Sequence, residues 1–135
     1  MSVGLCLISH NRIGEALLDT ATSMLGGRPL PVAVIAVTSV CDPEKALEQA
    51  SAAVKDLDQG EGVIVLTDMF GSTPSNIATA LKRDNESVVV ITGVNLPMLV
   101  RLMNYPGLDL GQLTEKALSG GQEGVFLCGA DDEEP

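Results

Sequence analysis

Short apolar runs alternate with longer stretches of helical periodicity along most of this chain. The runs are rich in Val, Leu and Ile and end at polar or glycine residues, which is typical of buried strands. They lie at residues 3–9, 32–37, 62–67, 87–91 and 124–128. Helical periodicity is present at residues 12–25, from Pro43 to before Gly60, and at residues 74–82, 97–104 and 110–118. This order predicts an α/β fold of three αβα layers, with a mostly parallel sheet covered by helices on both faces.

Residues with known preferences for helix ends predict where several helices start and stop. Asp42 and Thr73 each stand directly before a proline, which predicts both as N-cap residues. Asn95 comes two residues before another proline and opens the next helix. Glycine is common just after the last residue of a helix, so the pair at 120–121 predicts the end of the final helix.

The last apolar run, residues 124–128, is the least determined element. It could be an edge strand of the sheet or could pair with another chain, and the sequence pattern fits both. The length of 135 residues is normal for one domain. We therefore expect a single domain at residues 1–130, followed by an acidic tail at residues 131–135.

Charge and aromatic content exclude two classes of partner. The chain has 8 basic and 18 acidic residues, a net charge of −10, and only 2% aromatic residues. A nucleic-acid backbone or an anionic membrane surface would be repelled, and few aromatic rings are available to stack on bases. We expect neither nucleic-acid binding nor membrane insertion.

The cysteines and the N-terminal sequence favour a cytoplasmic location. The chain has 3 cysteines, an odd number, without the spacing of a redox or metal motif. Cys6 and Cys128 lie inside apolar runs and are predicted to be buried thiols. Residues 1–7 lack the basic segment and long apolar stretch of a signal peptide, and no apolar run has the length of a membrane span.

The chain has a single histidine, His10, which lies directly after the first predicted strand. Ligands of parallel α/β sheets bind beyond the carboxyl ends of the strands, and a neutral imidazole is a competent nucleophile. Asp68 follows the third predicted strand, so its carboxylate could accept a hydrogen bond from one ring nitrogen and leave the other free. The alternatives are a solvent-facing loop histidine and an acid that caps the following turn.

The loop after Asp68 and the end of the fourth strand supply further polar groups at the same edge. Gly71 allows close approach of the backbone to a ligand, and Ser72 and Thr73 carry hydroxyls at a helix start, where phosphoryl groups bind well. Asn95 stands at the site edge after the fourth strand. Helix capping alone is the alternative role of Thr73.

Several motifs are absent, and their absence narrows the range of reactions that the protein could carry out. The sequence contains no GxxxxGK[ST] nucleotide loop, no GxGxxG dinucleotide motif and no GxSxG hydrolase elbow. With one histidine and no paired cysteines, we expect no metal site, and no cofactor is indicated. An imidazole, a carboxylate and an anion-binding helix start suit a residue that receives a phosphoryl group from another protein and passes it on.

These residues carry a resemblance to a known family. The first strand ending in His10, LTDMFGSTPSN at 66–76, GVNLPM at 93–98 and GQEGV at 121–125 resemble the EIIA domains of the mannose class of the phosphoenolpyruvate-dependent sugar phosphotransferase system (PTS). The resemblance extends over about residues 3–128. One departure is the loop before the Thr-Pro pair. Family members often have an aromatic residue and two glycines there, whereas this chain has Phe70, Gly71 and Ser72.

The resemblance implies a phosphotransferase mechanism and partners. His10 matches the transiently phosphorylated histidine, Asp68 the acid beside it, and Thr73 a hydroxyl near the phosphoryl group. The implied donor is a phosphocarrier of the HPr type, and the implied acceptor is an EIIB-type domain. Family members are homodimers that exchange the last strand, which would explain the run at 124–128. We expect a free-standing EIIA domain that serves sugar uptake or a regulatory phosphorelay.

Two other functions fit the same resemblance. One is the EIIA-like phosphotransfer subunit of a dihydroxyacetone kinase, with the same chemistry at His10 and a different acceptor. The other is a regulatory binding module whose affinity for a partner changes when His10 is phosphorylated. An α/β domain with an inert loop histidine is the remaining alternative.

Overall fold

A computed structural model describes residues 2–129, and all structural statements below refer to that part of the chain. Its strands are β1 (Gly4–His10), β2 (Val32–Val37), β3 (Val63–Thr67) and β4 (Val88–Thr92). Its helices are α1 (Ile13–Leu25), α2 (Pro43–Leu57), α3 (Thr73–Asp84), α4 (Leu96–Met103) and α5 (Leu110–Glu123). The predicted α/β class, helix order and first four strands are confirmed.

The sheet has four parallel strands in the order β2-β1-β3-β4. Strands β1 and β3 are central, and all of their residues except His10 are buried, as expected for a sheet with helices on each side. Alternate residues of β1 enter different cores: Leu5 and Leu7 pack in the core with α1, α4 and α5, whereas Cys6 and Ile8 pack with α2 and α3. Helices therefore cover both faces of the sheet, which gives the three-layer αβα arrangement.

Of the three residues predicted to begin helices, two do so in the structure and one does not. The side chains of Asp42 and Asn95 accept hydrogen bonds from the backbone N–H groups of Glu44 and Met98, as N-caps do. The prediction that Thr73 caps α3 is wrong, because Ser72 occupies the N-cap position and Thr73 is the first helical residue. A tight loop after β3 shifts the helix start by one residue.

The predicted end of α5 at the glycine pair 120–121 is also wrong, because the helix continues to Glu123. Both glycines are buried against α4. A Cβ atom on Gly120 would lie 2.8 Å from Cβ of Arg101, and one on Gly121 would lie 2.7 Å from Cε of Met98. These glycines therefore serve close helix packing and not helix termination.

Residues 124–128 do not form a strand within this chain, so that prediction is wrong for the single copy. Val125, Phe126 and Leu127 are exposed, and Cys128 is exposed as well, which corrects its prediction as a buried thiol. The apolar run does not join either edge strand of the sheet, β2 or β4, within its own chain. Cys6 is buried as predicted.

Helix length and polarity also bear on membrane insertion. Within residues 2–129, no helix combines the length and the apolar character that crossing a bilayer requires.

The predicted domain end at residue 130 and the acidic tail at 131–135 lie outside the described residues.

Candidate functional site

His10 and Asp68 meet because their strands are neighbours in the parallel sheet. Strands β1 and β3 are in register through the pair Ile8 and Thr67, so the chain leaves both strands at the same edge. The carboxyl ends of parallel strands share one edge of a sheet. The predicted contact between the two side chains is therefore built into the strand order.

One carboxylate oxygen of Asp68 holds both the ring and the backbone of His10. Asp68 Oδ2 lies 2.8 Å from Nδ1 of the ring and 3.0 Å from the backbone nitrogen of His10. The side chain of Asp68 is 10% exposed and that of His10 is 40% exposed. An ionised carboxylate only accepts hydrogen bonds, so a neutral ring carries its proton on Nδ1 and leaves Nε2 unprotonated.

The environment of Asp68 favours its charged form. Burial of the carboxyl opposes ionisation, but hydrogen bonds from the backbone and ring of His10, together with the attraction of that ring, outweigh burial and lower the pKa of Asp68. Its second oxygen, Oδ1, is buried and has no hydrogen-bond partner among residues 2–129. The ionised carboxylate can thus stabilise a positive charge that develops on the ring.

His10 borders an open cavity of about 370 Å³ at the carboxyl edge of the sheet. The cavity lies between the ends of β1 and β2 and the starts of α2 and α3. Thr73 contributes to one wall. The other lining residues are Asn11, Val37, Thr38, Ser39, Cys41 and Pro43.

The turn after β2 is the part of the site that sequence reasoning missed. Thr38, Ser39 and Cys41 line the cavity, and the backbone N–H of Cys41 donates a hydrogen bond of 3.2 Å to the carbonyl of Thr38. These residues carry no recognisable motif. Only their position could have indicated a role in the site, because they follow β2, which pairs with β1 in the parallel sheet.

Three other predicted site residues lie outside the cavity lining. Gly71 has a φ of 82° and is exposed in the loop before α3. The hydroxyl of Ser72 donates to the carbonyl of Met69 at 2.6 Å and does not cap the helix. The amide of Asn95 accepts from the N–H of Met98 at 2.9 Å and donates to the carbonyl of Gly121 at 3.1 Å, which joins α4 to α5.

The His, Cys, Asp and Glu side chains of the described residues are not grouped as metal ligands. Within residues 2–129, no group of three or more His, Cys, Asp and Glu side chains is placed to hold a metal ion. The polar groups at the cavity are hydroxyls, one thiol, an amide and the imidazole. Such groups are suited to hydrogen bonding with an anion.

Comparison with known proteins identifies the family. The family model described as "PTS system fructose IIA component" matches residues 4–118. The mannose-specific EIIAB component of the PTS of Escherichia coli (strain K12) is 33% identical over 129 residues, which cover 93% of this chain and 39% of that protein. The transcriptional regulatory protein LevR of Bacillus subtilis (strain 168) is 30% identical over 112 residues, 80% of this chain and 12% of that protein.

Solved structures agree in fold. The mannose/sorbose-specific IIA subunit of the phosphotransferase system from Enterococcus faecalis superposes with a TM-score of 0.85 at 24% identity, covering 99% of this chain and 100% of that one. The chain spans only 39% of the length of its Escherichia coli relative. By sequence match and by fold, the chain belongs to the EIIA family of the mannose and fructose class of the PTS.

Proposed function

We propose that the protein is a PTS phosphoryl carrier in which Nε2 of His10 accepts a phosphoryl group from a phosphorylated HPr-type protein and passes it to an EIIB-type acceptor. The observation that carries this proposal is the bond between His10 Nδ1 and Asp68 Oδ2, with the ring bordering an open polar cavity. That arrangement leaves Nε2 as the nucleophile.

The transfer step needs no cofactor or metal ion. The lone pair of His10 Nε2 attacks the phosphorus of the donor's phosphohistidine, and the new N–P bond forms as the donor's N–P bond breaks. The donor ring carries a proton on its other nitrogen and is positively charged before transfer, so it leaves neutral when the electron pair of the breaking bond stays on the donor nitrogen. Positive charge arises on the His10 ring, which keeps its Nδ1 proton, and the Asp68 carboxylate offsets that charge.

The cavity walls support the binding of a phosphoryl group. The hydroxyl of Thr73 can donate to a phosphoryl oxygen, and the first turn of α3 has no side-chain cap on its N–H groups. Thr38 and Ser39 also line the cavity, and their hydroxyls can donate as well. Hydrogen bonds of this kind hold the charged oxygens and limit the access of water to the labile N–P bond.

Exposed apolar side chains occur in the connections that follow the strands of the site, and they suit a protein partner. We define the apolar collar as Ile13, Val40, Met69 and Phe70, which lie in or next to the connections after β1, β2 and β3. Val40 is 90% exposed and Phe70 is 80% exposed. Because acidic residues outnumber basic ones 18 to 8, the docking surfaces of the partners are expected to be basic around an apolar centre.

We also propose that the chain forms a homodimer through residues 124–128. Strand β4 is an edge of the sheet, and the exposed Val125, Phe126 and Leu127 can pair with an edge of a second copy. Sedimentation of the whole chain tests this idea. We expect a dimer that Leu127→Asp weakens and Met24→Asp, at another exposed apolar site, does not; a monomeric wild-type chain would contradict it.

The phosphoryl carrier proposal is tested by incubation with labelled phosphoenolpyruvate, enzyme I and HPr, followed by peptide mapping. We expect label on the peptide that contains His10 and none on the His10→Ala variant. An unlabelled wild-type chain, or equal labelling of the variant, would refute the proposal. Adding an EIIB domain in one arm and the nucleotide-bound subunit of a dihydroxyacetone kinase in another identifies the acceptor.

A regulatory role is the second candidate, and the match to LevR favours keeping it. In that case phosphorylation of His10 changes the affinity for a partner and no sugar is moved. Pull-downs with phosphorylated protein and with His10→Ala protein should then recover different partners. Identical partner sets would count against regulation.

A further inference from the structure

A buried hydroxyl lies one residue before His10 and has no part in the chemistry above. Ser9 is 1% exposed, and its Oγ accepts a buried hydrogen bond of 2.8 Å from the backbone N–H of Gly14 in the first turn of α1. Arg12, the N-cap residue of α1, makes no side-chain capping bond. The start of α1 is therefore held by a residue of strand β1 and not by its own N-cap.

Gly14 allows this close approach. A Cβ atom at position 14 would lie 2.8 Å from Ser9 Oγ and 3.3 Å from Cβ of Leu7. Leu7 is fully buried in the sheet. Any larger residue at position 14 would thus push the first turn of α1 away from the strand that carries His10.

The residues on either side of this bond are tied to other strands. The backbone N–H of His10 donates to Asp68 Oδ2 at 3.0 Å, and that of Asn11 donates to the carbonyl of Val37 at 3.0 Å. Asn11 has a φ of 49°, which is the left-handed conformation required by the short connection into α1. Three successive residues are therefore anchored to α1, to the end of β3 and to β2.

We propose that Ser9 is a positioning residue for phosphoryl transfer, because its bond to Gly14 fixes the backbone that holds the His10 ring against Asp68. The inference rests on the function proposed above. The ring is 40% exposed, so few packing contacts constrain it, and its 2.8 Å bond to Asp68 depends on where the backbone places it. Without the Ser9 bond, the first turn of α1 can move and the ring can lose its alignment.

The loss of alignment has two measurable consequences. The Nδ1 proton no longer has a fixed acceptor, so the neutral ring populates both tautomers. The nucleophile is also displaced from the incoming phosphorus, and small displacements of reacting groups slow transfer strongly. Binding of the donor protein should change less than the rate, because Val40, Met69 and Phe70 of the apolar collar lie outside α1.

The experiment compares Ser9→Ala with Thr114→Ala. Thr114 also has a partly buried hydroxyl. It donates a hydrogen bond of 2.7 Å to the carbonyl of Leu110 in α5, away from the site. The tautomer of His10 is read from the ¹⁵N shifts of the ring at about pH 9, where an imidazole is neutral. Because the chain has 1 histidine, the ring signals need no assignment. Transfer from phosphorylated HPr is followed in parallel.

For Ser9→Ala we expect the two ring ¹⁵N shifts to move towards each other and the transfer rate at saturating donor to fall on the order of tenfold, with a smaller change in KM. Thr114→Ala should keep the wild-type shifts and rate. Gly14→Ala should reproduce the effects of Ser9→Ala although Ser9 is intact, and it replaces that variant if Ser9→Ala does not fold.

Unchanged ring shifts and an unchanged rate in the folded variants would overturn the role of Ser9. The same loss of rate in Thr114→Ala would overturn it too, since the effect would then be one of general stability. If the wild-type chain accepts no phosphoryl group, the proposed function fails, and the ring shifts alone decide whether Ser9 positions His10.

Discussion

Asp68 Oδ2 accepts hydrogen bonds from both the ring and the backbone of His10, at 2.8 Å from Nδ1 and 3.0 Å from the backbone nitrogen. A single oxygen thus fixes the ring relative to the strand from which it projects. The arrangement orients Nε2 and provides a negative charge close to the ring. Removal of that negative charge should therefore slow phosphoryl transfer.

Replacing Asp68 by Asn should keep the shape of the site and remove its charge. We expect the rate of phosphoryl transfer to fall by about 10²-fold or more, because the positive charge on the phosphorylated ring loses its counterion. The measurement is single-turnover transfer from phosphorylated HPr. Asp42→Asn is the matched control, since Asn also caps helices and Asp42 lies at the start of α2. A wild-type rate in Asp68→Asn would remove Asp68 from the mechanism.

Alkylation of Cys41 should block phosphorylation, because its thiol lines the cavity beside His10. With N-ethylmaleimide we expect the wild-type chain to lose labelling and Cys41→Ser to keep it. Cys6 does not interfere, because burial raises the pKa of its thiol to about 12 and keeps it unreactive. Cys128 is exposed in both proteins and serves as an internal control for the reagent. Full labelling of the alkylated wild type would mean that the cavity is not the transfer site.

Polar substitutions in the apolar collar should weaken docking and leave the chemistry intact. We expect Phe70→Ser and Val40→Ser to raise the KM for phosphorylated HPr several-fold with kcat unchanged, because each removes apolar area from the interface. Met24, which is 61% exposed near the end of α1, provides the control Met24→Ser. If all three variants raise KM equally, the collar has no special role in docking.

Gly120→Ala should destabilise the protein, because the added Cβ would lie 2.8 Å from Cβ of Arg101 and 3.1 Å from the carbonyl oxygen of Pro97, both in α4. A decrease of about 1–3 kcal/mol in the free energy of unfolding is expected from overpacking. Gly111→Ala in the same helix is the control, since the nearest atom to its Cβ is Asp109 Oδ1 at 3.7 Å. That variant should be more stable by up to about 1 kcal/mol. Urea unfolding measures both, and equal stabilisation of the two variants would contradict the packing role.

Asp58 should make stability depend on pH in the acid range. A hydrogen bond from the N–H of Gly60, opposed by burial and aided by bonds from Gly62 and Ser87, lowers its pKa below the ordinary value of 3.8. A lowered folded pKa contributes stability above the unfolded value and loses it as pH falls through the folded value. Asp58→Asn should therefore be less stable than wild type at neutral pH, with a difference that shrinks below about pH 4.

The control for this effect is Asp56→Asn, because Asp56 is an exposed acid in the last turn of α2, two residues before the C-cap residue Asp58. Urea unfolding across pH 2–7 compares the three proteins. A difference between wild type and Asp58→Asn that does not depend on pH would mean that charge is not the cause.

Local patterns in the sequence determined most of the secondary structure. The four strands of the sheet and all five helices lie where apolar runs and helical periodicity predict them. Asp42 and Asn95 begin their helices as expected, because capping depends on groups within a few residues. The contact between His10 and Asp68 was predictable as well, since parallel strands bring their carboxyl ends to one edge.

Tertiary structure decided the features that depend on residues far apart in the chain. The glycines at 120–121 resemble a helix stop in sequence, but α4 packs against them and α5 continues. The run at 124–128 has the composition of a strand but does not join the sheet of its own chain, whose edge strands are β2 and β4. The cavity walls at Thr38, Ser39 and Cys41 result from the placement of β2 beside β1.

The sequence by itself thus determined the order of the elements and the one residue that can carry imidazole chemistry, His10, because both follow from composition and local periodicity. The tertiary structure decided the surroundings of that residue: the hydroxyl of Ser9 behind it, the carboxylate of Asp68 beside it and the cavity in front of it. The physical reason is that helix and strand preferences act over a few residues. The packing and hydrogen bonds of the site instead join segments that only the folded chain brings together.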